Sequence, residues 1–309
     1  MEVTVVPAPQ LLDGRRCSDA LKAAIAQGAE AVVAQRGRPP HLVAVLVGDD
    51  GASRTYVDNK VRACAAVGFR STLIHLPGTI TQDELLARVE QLNGDAQVDG
   101  FIVQLPLPSH IHEDVIILAV DPRKDVDGFH PQNVGRMVLG LDTFLPATPS
   151  GIRELLKHYS IPTAGRHCVV VGRSSIVGTP MSILMGRNTY PGNCTVTLAH
   201  SRTTDLPAIT RQADILVVAV GKPGLITGDM VKDGAVVVDV GIHRIPDASK
   251  KRGYRIVGDV DQASVAPKCT WITPVPGGVG PMTITSLLLN TLKACRSSIP
   301  LRVGIVLRN

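Results

Sequence analysis

One stretch of the sequence decides the fold: residues 167–178 read H-C-V-V-V-G-R-S-S-I-V-G. A short apolar run that ends in glycine is typical of a strand covered on both faces. A helix-like pattern follows, so a loop of small residues lies between strand and helix, where backbone N–H groups can approach a pyrophosphate. Ser174 occupies the second glycine position of the G-x-G-x-x-G pattern, so an ordinary βα turn remains the alternative interpretation.

Strand-like and helix-like runs alternate on both sides of this stretch. After it, three more apolar runs follow in the order that a nucleotide-binding half-fold needs, at 195–200, 213–220 and 235–240. Before it, helix-like segments at 17–35, 56–67 and 81–92 alternate with strand-like runs at 42–47, 71–76 and 100–103. Such alternation predicts parallel sheets flanked by helices.

We therefore predict an α/β protein of two domains with a cleft between them, the second a Rossmann-like NAD(P)-binding domain. The segment 121–149 is rich in Pro, Gly and Asp and is interpreted as a crossover with functional loops, which puts the boundary near Ala147. The first domain comprises residues 1–147 and is joined by a C-terminal helix within 281–309, while the second comprises 148–280. Residues 301–309 are apolar enough to predict packing rather than a tail.

Composition and charge exclude several functional classes. The 309 residues suggest two domains, and 44% hydrophobic residues allow a large core. The net charge of +5 comes without a basic run, and only 3% of residues are aromatic, which argues against a nucleic-acid surface. The excess positive charge fits small anionic ligands instead.

Cysteine spacing and the N-terminus indicate the compartment. The six cysteines show no CxxC spacing, so we predict no metal site and interpret them as buried thiols in a reducing compartment. The sequence begins Met1-Glu2-Val3 without a secretory pattern and has no run of about 18 apolar residues. A soluble, cytoplasmic protein without membrane contact is expected.

The end of the second nucleotide-domain strand predicts the cofactor. An NAD site places an acid there to hold the ribose 2′-hydroxyl, whereas this strand ends His200-Ser201-Arg202-Thr203 and the next acid is Asp205. A hydroxyl and an arginine would hold a 2′-phosphate instead. We therefore predict NADP as the cofactor, with solvated loop arginines as the alternative interpretation of Arg173 and Arg202. The residues of the two loops that we predict to bind NADP are Gly172, Arg173, Ser174, Ser201 and Arg202.

A tyrosine and a lysine mark the first domain. Tyr56 and Lys60 are four residues apart, so a helix places them on one face beside the carboxyl end of the preceding strand. Ligands bind at that edge of a parallel sheet. A surface cation–π pair is the alternative interpretation.

Three further strings identify a family. Residues 103–108 read V-Q-L-P-L-P, 124–129 read K-D-V-D-G-F, and 273–283 read T-P-V-P-G-G-V-G-P-M-T. With Tyr56 and Lys60, the chain strongly resembles the bifunctional methylenetetrahydrofolate dehydrogenase/methenyltetrahydrofolate cyclohydrolases over nearly its whole length. One departure is Ala147, where the family commonly has cysteine, and we interpret it as neutral.

The resemblance implies an activity and assigns roles to residues. The family oxidises 5,10-methylenetetrahydrofolate to the methenyl cation with NAD(P)⁺ and hydrolyses that cation to 10-formyltetrahydrofolate. Lys60 matches the catalytic lysine, Gln104 the glutamine beside it, Tyr56 the ring that stacks on the folate, and Asp127 the carboxylate that grips the pterin. An ordinary turn residue is the alternative for Asp127.

The resemblance also implies the remaining contacts and the assembly. The substrate site includes Val103, Leu105 and a proline- and glycine-rich loop, whose residues are Pro274, Val275, Pro276, Gly277 and Gly278. Ile242 belongs to the cofactor site. A homodimer with contacts through the cofactor domain and a role in purine biosynthesis are expected. The rival functions are a dehydrogenase without the cyclohydrolase step and a non-catalytic NADP- or folate-sensing module.

Overall fold

The computed structural model describes residues 9–49, 51–250 and 252–297, so the predicted packing of residues 301–309 lies outside the described residues. The strands in this part of the chain are β1 Gln10–Leu11, β2 His41–Val47, β3 Arg70–Leu76, β4 Gly100–Val103, β5 His167–Val171, β6 Thr195–Ala199, β7 Ile215–Val218, β8 Ala235–Asp239, β9 His243–Pro246, β10 Tyr254–Val257 and β11 Cys269–Ile272.

The helices of the described residues alternate with these strands. They are α1 Gly14–Arg36, α2 Gly51–Ala66, α3 Gln82–Gly94, α4 Glu113–Ala119, α5 Pro131–Leu139, α6 Ala147–His158, α7 Gly178–Gly186, α8 Leu206–Thr210, α9 Gln262–Val265 and α10 Val279–Ser297. The predicted α/β alternation is confirmed, and each apolar run singled out in the sequence forms a strand.

The described residues divide into two compact units. The larger unit comprises residues 9–21 and 132–286, and the smaller unit comprises residues 22–131 and 287–297. The divisions therefore fall inside α1, after Pro131 and inside α10.

A six-stranded parallel sheet forms the centre of the larger unit, in the order β1-β11-β8-β7-β5-β6. Strand β5 has its successor β6 on one side and β7 on the other, so the strand order reverses between β5 and β7. Ligands of open α/β sheets bind at such a switch point, outside the carboxyl ends of the strands. Valine-rich strands suit this sheet because both faces are covered: Val170 and Val217 belong to one buried cluster and Val169 and Leu216 to the other. Strands β9 and β10 form a separate antiparallel pair.

The smaller unit is built on a three-stranded parallel sheet in the order β3-β2-β4. Every residue of the central strand β2 is buried, whereas the edge strand β3 is mostly exposed or half-buried. Helix α3 covers this sheet with Leu85, Val89 and Leu92. It begins at a capping box in which Thr81 and Glu84 each bond the other's backbone N–H. None of the described helices is both long and apolar enough to cross a membrane.

Candidate active site

Helix α2 carries the two residues that the sequence places on one face. It follows the buried strand β2, and Tyr56 and Lys60 lie one turn apart on it. Tyr56 is half-buried, and Lys60 is buried although its amine is charged in water. Burying an ammonium group costs free energy unless it is paired or loses its proton.

Gln104 meets this lysine from the end of β4. Its backbone N–H donates to the carbonyl oxygen of Val45 at 2.9 Å, which fixes the residue beside β2. Its side-chain Nε2 donates to the carbonyl oxygen of Leu105 at 2.6 Å, and Oε1 accepts from Nζ of Lys60 at 3.0 Å. The structure therefore joins the lysine and the glutamine that the resemblance pairs.

Burial changes the charge balance at Lys60. Removal from water lowers the pKa of its amine, because the charged form loses hydration, and the carboxylate of Asp127 opposes this effect in part. The thiol of Cys64, one turn further along α2, acts in the same direction as Asp127. The net effect is a lowered pKa, which increases the share of the neutral amine, the form that accepts a proton.

Asp127 lies in a turn that another carboxylate holds. The buried Asp125 accepts the backbone N–H of Gly128 at 3.1 Å, of Phe129 at 3.2 Å and of His130 at 2.8 Å. Burial raises the pKa of the Asp127 carboxyl, the charge of Lys60 lowers it, and Asp125 raises it further. Asp125 was not predicted as a site residue, although it lies in the same K-D-V-D-G-F string as Asp127.

The C-terminal helix supports the same turn. Nδ2 of Asn290, on α10, donates to the carbonyl oxygen of Val126 at 2.8 Å. The two residues are 164 positions apart in the sequence. No local motif points to such a contact, so the sequence did not predict it.

A small pocket brings several predicted substrate residues together in the smaller unit. Val103 and Leu105, from the V-Q-L-P-L-P string, line it with Asp127 and Phe129. The other lining residues are Phe101, Ile102, Ile116, Ile117, Val120 and Asp125. The pocket therefore has an apolar wall and two carboxylates.

The glycine loop of the larger unit follows β5 at the switch point. Gly172 has φ +116°, and a Cβ there would overlap the carbonyl oxygen of Ala219, which follows β7. A Cβ on Gly178 would likewise overlap the carbonyl oxygen of Gly172. Both positions therefore need glycine, and they leave a tight backbone loop in front of α7 that fits a pyrophosphate.

Ser174 explains why the loop departs from the three-glycine pattern. Its Oγ accepts the backbone N–H of Val177 at 3.2 Å and of Gly178 at 3.4 Å, so its hydroxyl binds the turn that leads into α7. Arg173, beside it, is exposed. The structure thus places an exposed cation at the mouth of the loop.

The end of β6 lies next to this loop. The backbone N–H of Gly172 donates to the carbonyl oxygen of Ala199 at 2.8 Å, and Ser201 and Arg202 follow as exposed residues. Asp205 accepts the N–H of Ala208 at 3.1 Å and caps α8, so this carboxylate has a local structural role. The hydroxyl and the arginine of the prediction are therefore exposed at the carboxyl edge of the sheet.

The remaining predicted residues also belong to the larger unit. Ile242 is exposed, just before β9. The proline- and glycine-rich loop follows β11, where the N–H of Gly278 donates to the carbonyl oxygen of Pro274 at 2.8 Å. A Cβ on Gly14 would overlap the carbonyl oxygen of Gly278, so the loop packs closely on the start of α1. Among the described residues, no group of three or more His, Cys, Asp or Glu is arranged to hold a metal ion.

A parallel sheet with a glycine loop at its switch point, together with a second α/β unit that buries a lysine beside an amide, defines a nicotinamide-dependent α/β enzyme. Two family models make the class specific. Residues 12–127 match the tetrahydrofolate dehydrogenase/cyclohydrolase catalytic domain, and residues 146–299 match the NAD(P)-binding domain of the same family. The chain belongs to the tetrahydrofolate dehydrogenase/cyclohydrolase family. It is a bifunctional enzyme that oxidises methylenetetrahydrofolate and hydrolyses methenyltetrahydrofolate.

Individual relatives agree with this family. The chain is 62% identical over 285 residues to the bifunctional protein FolD of Cytophaga hutchinsonii. The aligned residues cover 92% of this chain and 98% of the relative. It is similar to the crystal structure of the bifunctional FolD enzyme of Campylobacter jejuni, with a TM-score of 0.87, 47% identity, and coverage of 94% and 99% of the two chains. The FolD structure of Trypanosoma brucei, complexed with NADP and an inhibitor, has a TM-score of 0.89, 38% identity, and coverage of 95% and 99%.

Proposed function

We propose that the buried lysine of the smaller unit is the proton acceptor of the cyclohydrolase reaction. The observation that carries this proposal is the contact between Lys60 and the amide oxygen of Gln104, at 3.0 Å, in a place where burial lowers the pKa of the amine. In the hydrolysis, water attacks the methenyl carbon and must lose a proton as the new C–O bond forms. The neutral amine of Lys60 takes that proton and leaves a hydroxyl adduct at the former methenyl carbon. The adduct then opens to 10-formyltetrahydrofolate: the hydroxyl loses its proton as C=O forms, the bond from this carbon to N5 breaks, and N5 takes up a proton.

The oxidation needs positioning more than a proton acceptor. The lone pair of the folate nitrogen drives hydride out of the methylene carbon, and the nicotinamide cofactor accepts the hydride when it is bound. Asp127 accepts hydrogen bonds from the pterin, and the ring of Tyr56 stacks on the folate. These two contacts hold the reacting carbon in one orientation, which is how binding contributes to rate in such a step.

The smaller unit supplies most of the folate site in this proposal. Val103 and Leu105 line the apolar pocket beside Asp127, so they would contact the flat pterin. The family resemblance supports assigning a stiff loop of the larger unit to substrate binding as well: Pro274, Val275, Pro276, Gly277 and Gly278. We assign residues 1–147, with the C-terminal helix, to folate binding and residues 148–280 to cofactor binding.

NADP is the cofactor that the loop residues favour. The tight loop at Gly172 and Ser174 fits the pyrophosphate, and Arg173, Ser201 and Arg202 provide charge and a hydroxyl for the 2′-phosphate. Asp205, the first acid after β6 in the sequence, is used to cap α8. Ile242 offers an exposed apolar surface for the nicotinamide half of the cofactor.

We further propose a homodimer that forms through the cofactor domain, in the cytoplasm. The family resemblance supports the dimer, and the buried reduced thiols support the reducing compartment. The product, 10-formyltetrahydrofolate, would serve purine biosynthesis as a formyl donor. Light scattering on the purified protein tests the dimer directly, and a monomeric mass would overturn it.

One pair of assays tests the proposed roles. The reduced cofactor is followed spectrophotometrically with methylenetetrahydrofolate and either NADP⁺ or NAD⁺, and hydrolysis is followed on methenyltetrahydrofolate without cofactor. We expect both activities and a preference for NADP⁺. A preference for NAD⁺ would overturn the 2′-phosphate site, and an absent hydrolysis would overturn the role of Lys60.

A further inference from the structure

A fully buried carboxylate joins two loops at the cofactor edge of the larger unit. Oδ2 of Asp259 accepts the backbone N–H of Val220 at 2.7 Å and of Gly221 at 3.0 Å. Its Oδ1 lies 2.7 Å from Nε2 of His243. Val220 and Gly221 follow β7 and His243 begins β9, so one side chain connects two segments that are far apart in the sequence.

The first of these loops forms a wall of the glycine loop. The N–H of Ala219 donates to the carbonyl oxygen of Val171 at 2.8 Å. The carbonyl oxygen of Ala219 fills the place where Gly172 would carry a Cβ. Val220 and Gly221 directly follow Ala219 in the chain, so the bonds that fix them also help to fix this wall of the loop that we assign to the pyrophosphate.

A second carboxylate keeps Asp259 in place. Oδ1 of the buried Asp239 accepts the N–H of Gly241 at 3.0 Å and of Asp259 at 2.9 Å, and Oδ2 accepts the N–H of Val260 at 3.1 Å. A Cβ on Gly258 would overlap Oδ2 of Asp239. The bend at residues 258–260 thus lies directly against the end of β8 and has no room to move towards it.

These contacts lie where a cofactor would bind. The strand order reverses between β5 and β7, so the loops after these strands flank the ligand crevice of the sheet. Ile242, assigned above to the cofactor, is the neighbour of His243 in the sequence and is exposed. Asp259 itself has no exposed surface, so it does not touch a ligand directly.

We propose that Asp259 is a positioning residue for NADP, which holds the 219–221 loop and the segment at His243 in the arrangement that receives the cofactor. This inference rests on the cofactor site proposed above. It assigns to Asp259 no part in the folate chemistry, because its side chain bonds Val220, Gly221 and His243, none of which is a proposed folate residue.

Asp259→Asn is the direct test, because it changes little in size. The amide has one accepting oxygen, so its NH₂ group must face either the Val220 and Gly221 donors or the imidazole. If the NH₂ group faces the two N–H groups it is an unsatisfied buried donor, and if it faces the imidazole it is accepted only when the ring carries its proton on Nδ1. In both orientations the charged acceptor is lost, and loss of a hydrogen bond to a charged group changes an affinity roughly 10- to 100-fold. We expect the KM for NADP⁺ to rise by about that factor while kcat changes much less. Hydrolysis of methenyltetrahydrofolate without cofactor should stay as in the wild type.

Asp214→Asn is the matched control. Asp214 lies at the opposite end of the same sheet, where it accepts the N–H of His167 at 2.9 Å and pairs with Lys232 at 2.5 Å. This variant should lose thermal stability without a change in the KM for NADP⁺. An equal rise of that KM in both variants, or an equal fall of both activities in Asp259→Asn, would overturn the inference.

A milder pair of variants keeps the test decisive if Asp259→Asn does not fold. His243→Leu removes one donor to Asp259, whereas His243→Gln retains an N–H donor. We expect the KM for NADP⁺ to rise in the leucine variant and to return towards the wild-type value in the glutamine variant. Equal values in the two variants would contradict the role of this contact.

Arg173→Ala separates this inference from the proposal on which it rests. If Arg173→Ala weakens NADP⁺ binding and the Asp259 and His243 variants do not, only the positioning role fails. If Arg173→Ala has no effect on NADP⁺ binding, the 2′-phosphate assignment itself fails. Direct titration of NADP⁺ against each purified variant gives both answers.

Discussion

The amine of Lys60 donates to Oε1 of Gln104 at 3.0 Å, while Nε2 of the same amide donates to the carbonyl oxygen of Leu105 at 2.6 Å. The second bond orients the amide, so the lysine faces an oxygen without a net charge. A neutral amine that donates one hydrogen to this oxygen keeps its lone pair available. A carboxylate at the same place would stabilise the ammonium form instead. The glutamine therefore holds the lysine without preventing it from accepting a proton.

Gln104→Glu tests this relationship through the pH profile. The new carboxylate lies beside the amine and raises the pKa of Lys60, because an opposite charge favours the protonated form. We expect the acid limb of the cyclohydrolase profile to move to higher pH by about 1 to 3 units. The activity should therefore fall at neutral pH and recover as the pH rises. An unchanged profile would show that the proton goes elsewhere.

Arg173→Ala tests the choice of cofactor. A charge-assisted hydrogen bond to the 2′-phosphate contributes roughly 1.5–3 kcal/mol, so the affinity for NADP⁺ should fall about 10- to 100-fold. The kinetics with NAD⁺, which lacks that phosphate, should barely change. Arg211→Ala, which removes an exposed arginine of the same unit that contacts the carbonyl oxygen of Asp229, is the control. A parallel loss of affinity for NADP⁺ and NAD⁺ would contradict the assignment.

Asp127→Ala should damage both activities together. Both reactions use the same bound pterin, so a lost orienting contact must lower the rate of each. Asp83→Ala, in the first turn of α3, removes an exposed acid from the same unit and should leave both rates unchanged. If Asp127→Ala retained either activity near the wild-type rate, Asp127 would be a turn residue.

Local patterns in the sequence predicted the strands of both units, and the family resemblance paired Lys60 with Gln104. Buried strands such as β2 and β5 are apolar runs beside glycine, and their burial depends on residues close together in the chain. The β9–β10 pair was not predicted, because its short strands are mostly half-buried or exposed and carry no clear periodicity. Helix α5 lies inside the segment interpreted as a crossover loop.

Polar side chains that bond distant backbone segments were the part of the structure that the sequence did not predict. Asp259 contacts Val220 across 39 positions, and Asn290 contacts Val126 across 164 positions. An aspartate that caps a distant loop looks in the sequence like any other aspartate. Catalytic residues such as Lys60 differ, because they lie in strings that the family resemblance identifies.

Asp239 predicts a pH-dependent contribution to stability. Burial and the neighbouring Asp259 raise the pKa of this carboxyl to about 6, against three backbone N–H groups that lower it. The folded state then binds the proton more tightly than the unfolded state, so this contribution is present below about pH 4 and is lost as the pH rises through 6. A shift of about two units corresponds to roughly 3 kcal/mol.

Urea unfolding of the wild type and of Asp239→Asn at pH 4 and at pH 7 measures this contribution. The amide does not titrate, so the stability difference between the two proteins should change by about 2 to 3 kcal/mol between these pH values. The free energy of unfolding of the wild type, relative to that of Asp239→Asn, should be lower at pH 7 than at pH 4. The same difference at both pH values would show that Asp239 has no raised pKa in the folded state.

Lys60→Met separates the two reactions of the enzyme. Methionine has a similar length and fills the buried site, but it cannot accept a proton. Water that attacks the methenyl carbon then has no base beside it, so we expect cyclohydrolase activity to be abolished. Hydride transfer to the cofactor needs no proton acceptor, and the dehydrogenase should remain measurable although reduced. An unperturbed lysine is almost wholly protonated at neutral pH, so this division depends on the burial that lowers the pKa of Lys60.

The decisive measurement is both rates on one preparation of Lys60→Met, with Arg62→Met as the control. Arg62 is an exposed cation two residues further along α2 that contacts Asn59, so its replacement removes a positive charge from the same helix without entering the site. Intact hydrolysis in Lys60→Met would remove the lysine from the proton transfer. Equal losses of both rates would reduce Lys60 to a residue that positions the folate, because a lost base slows only the step in which water gives up its proton.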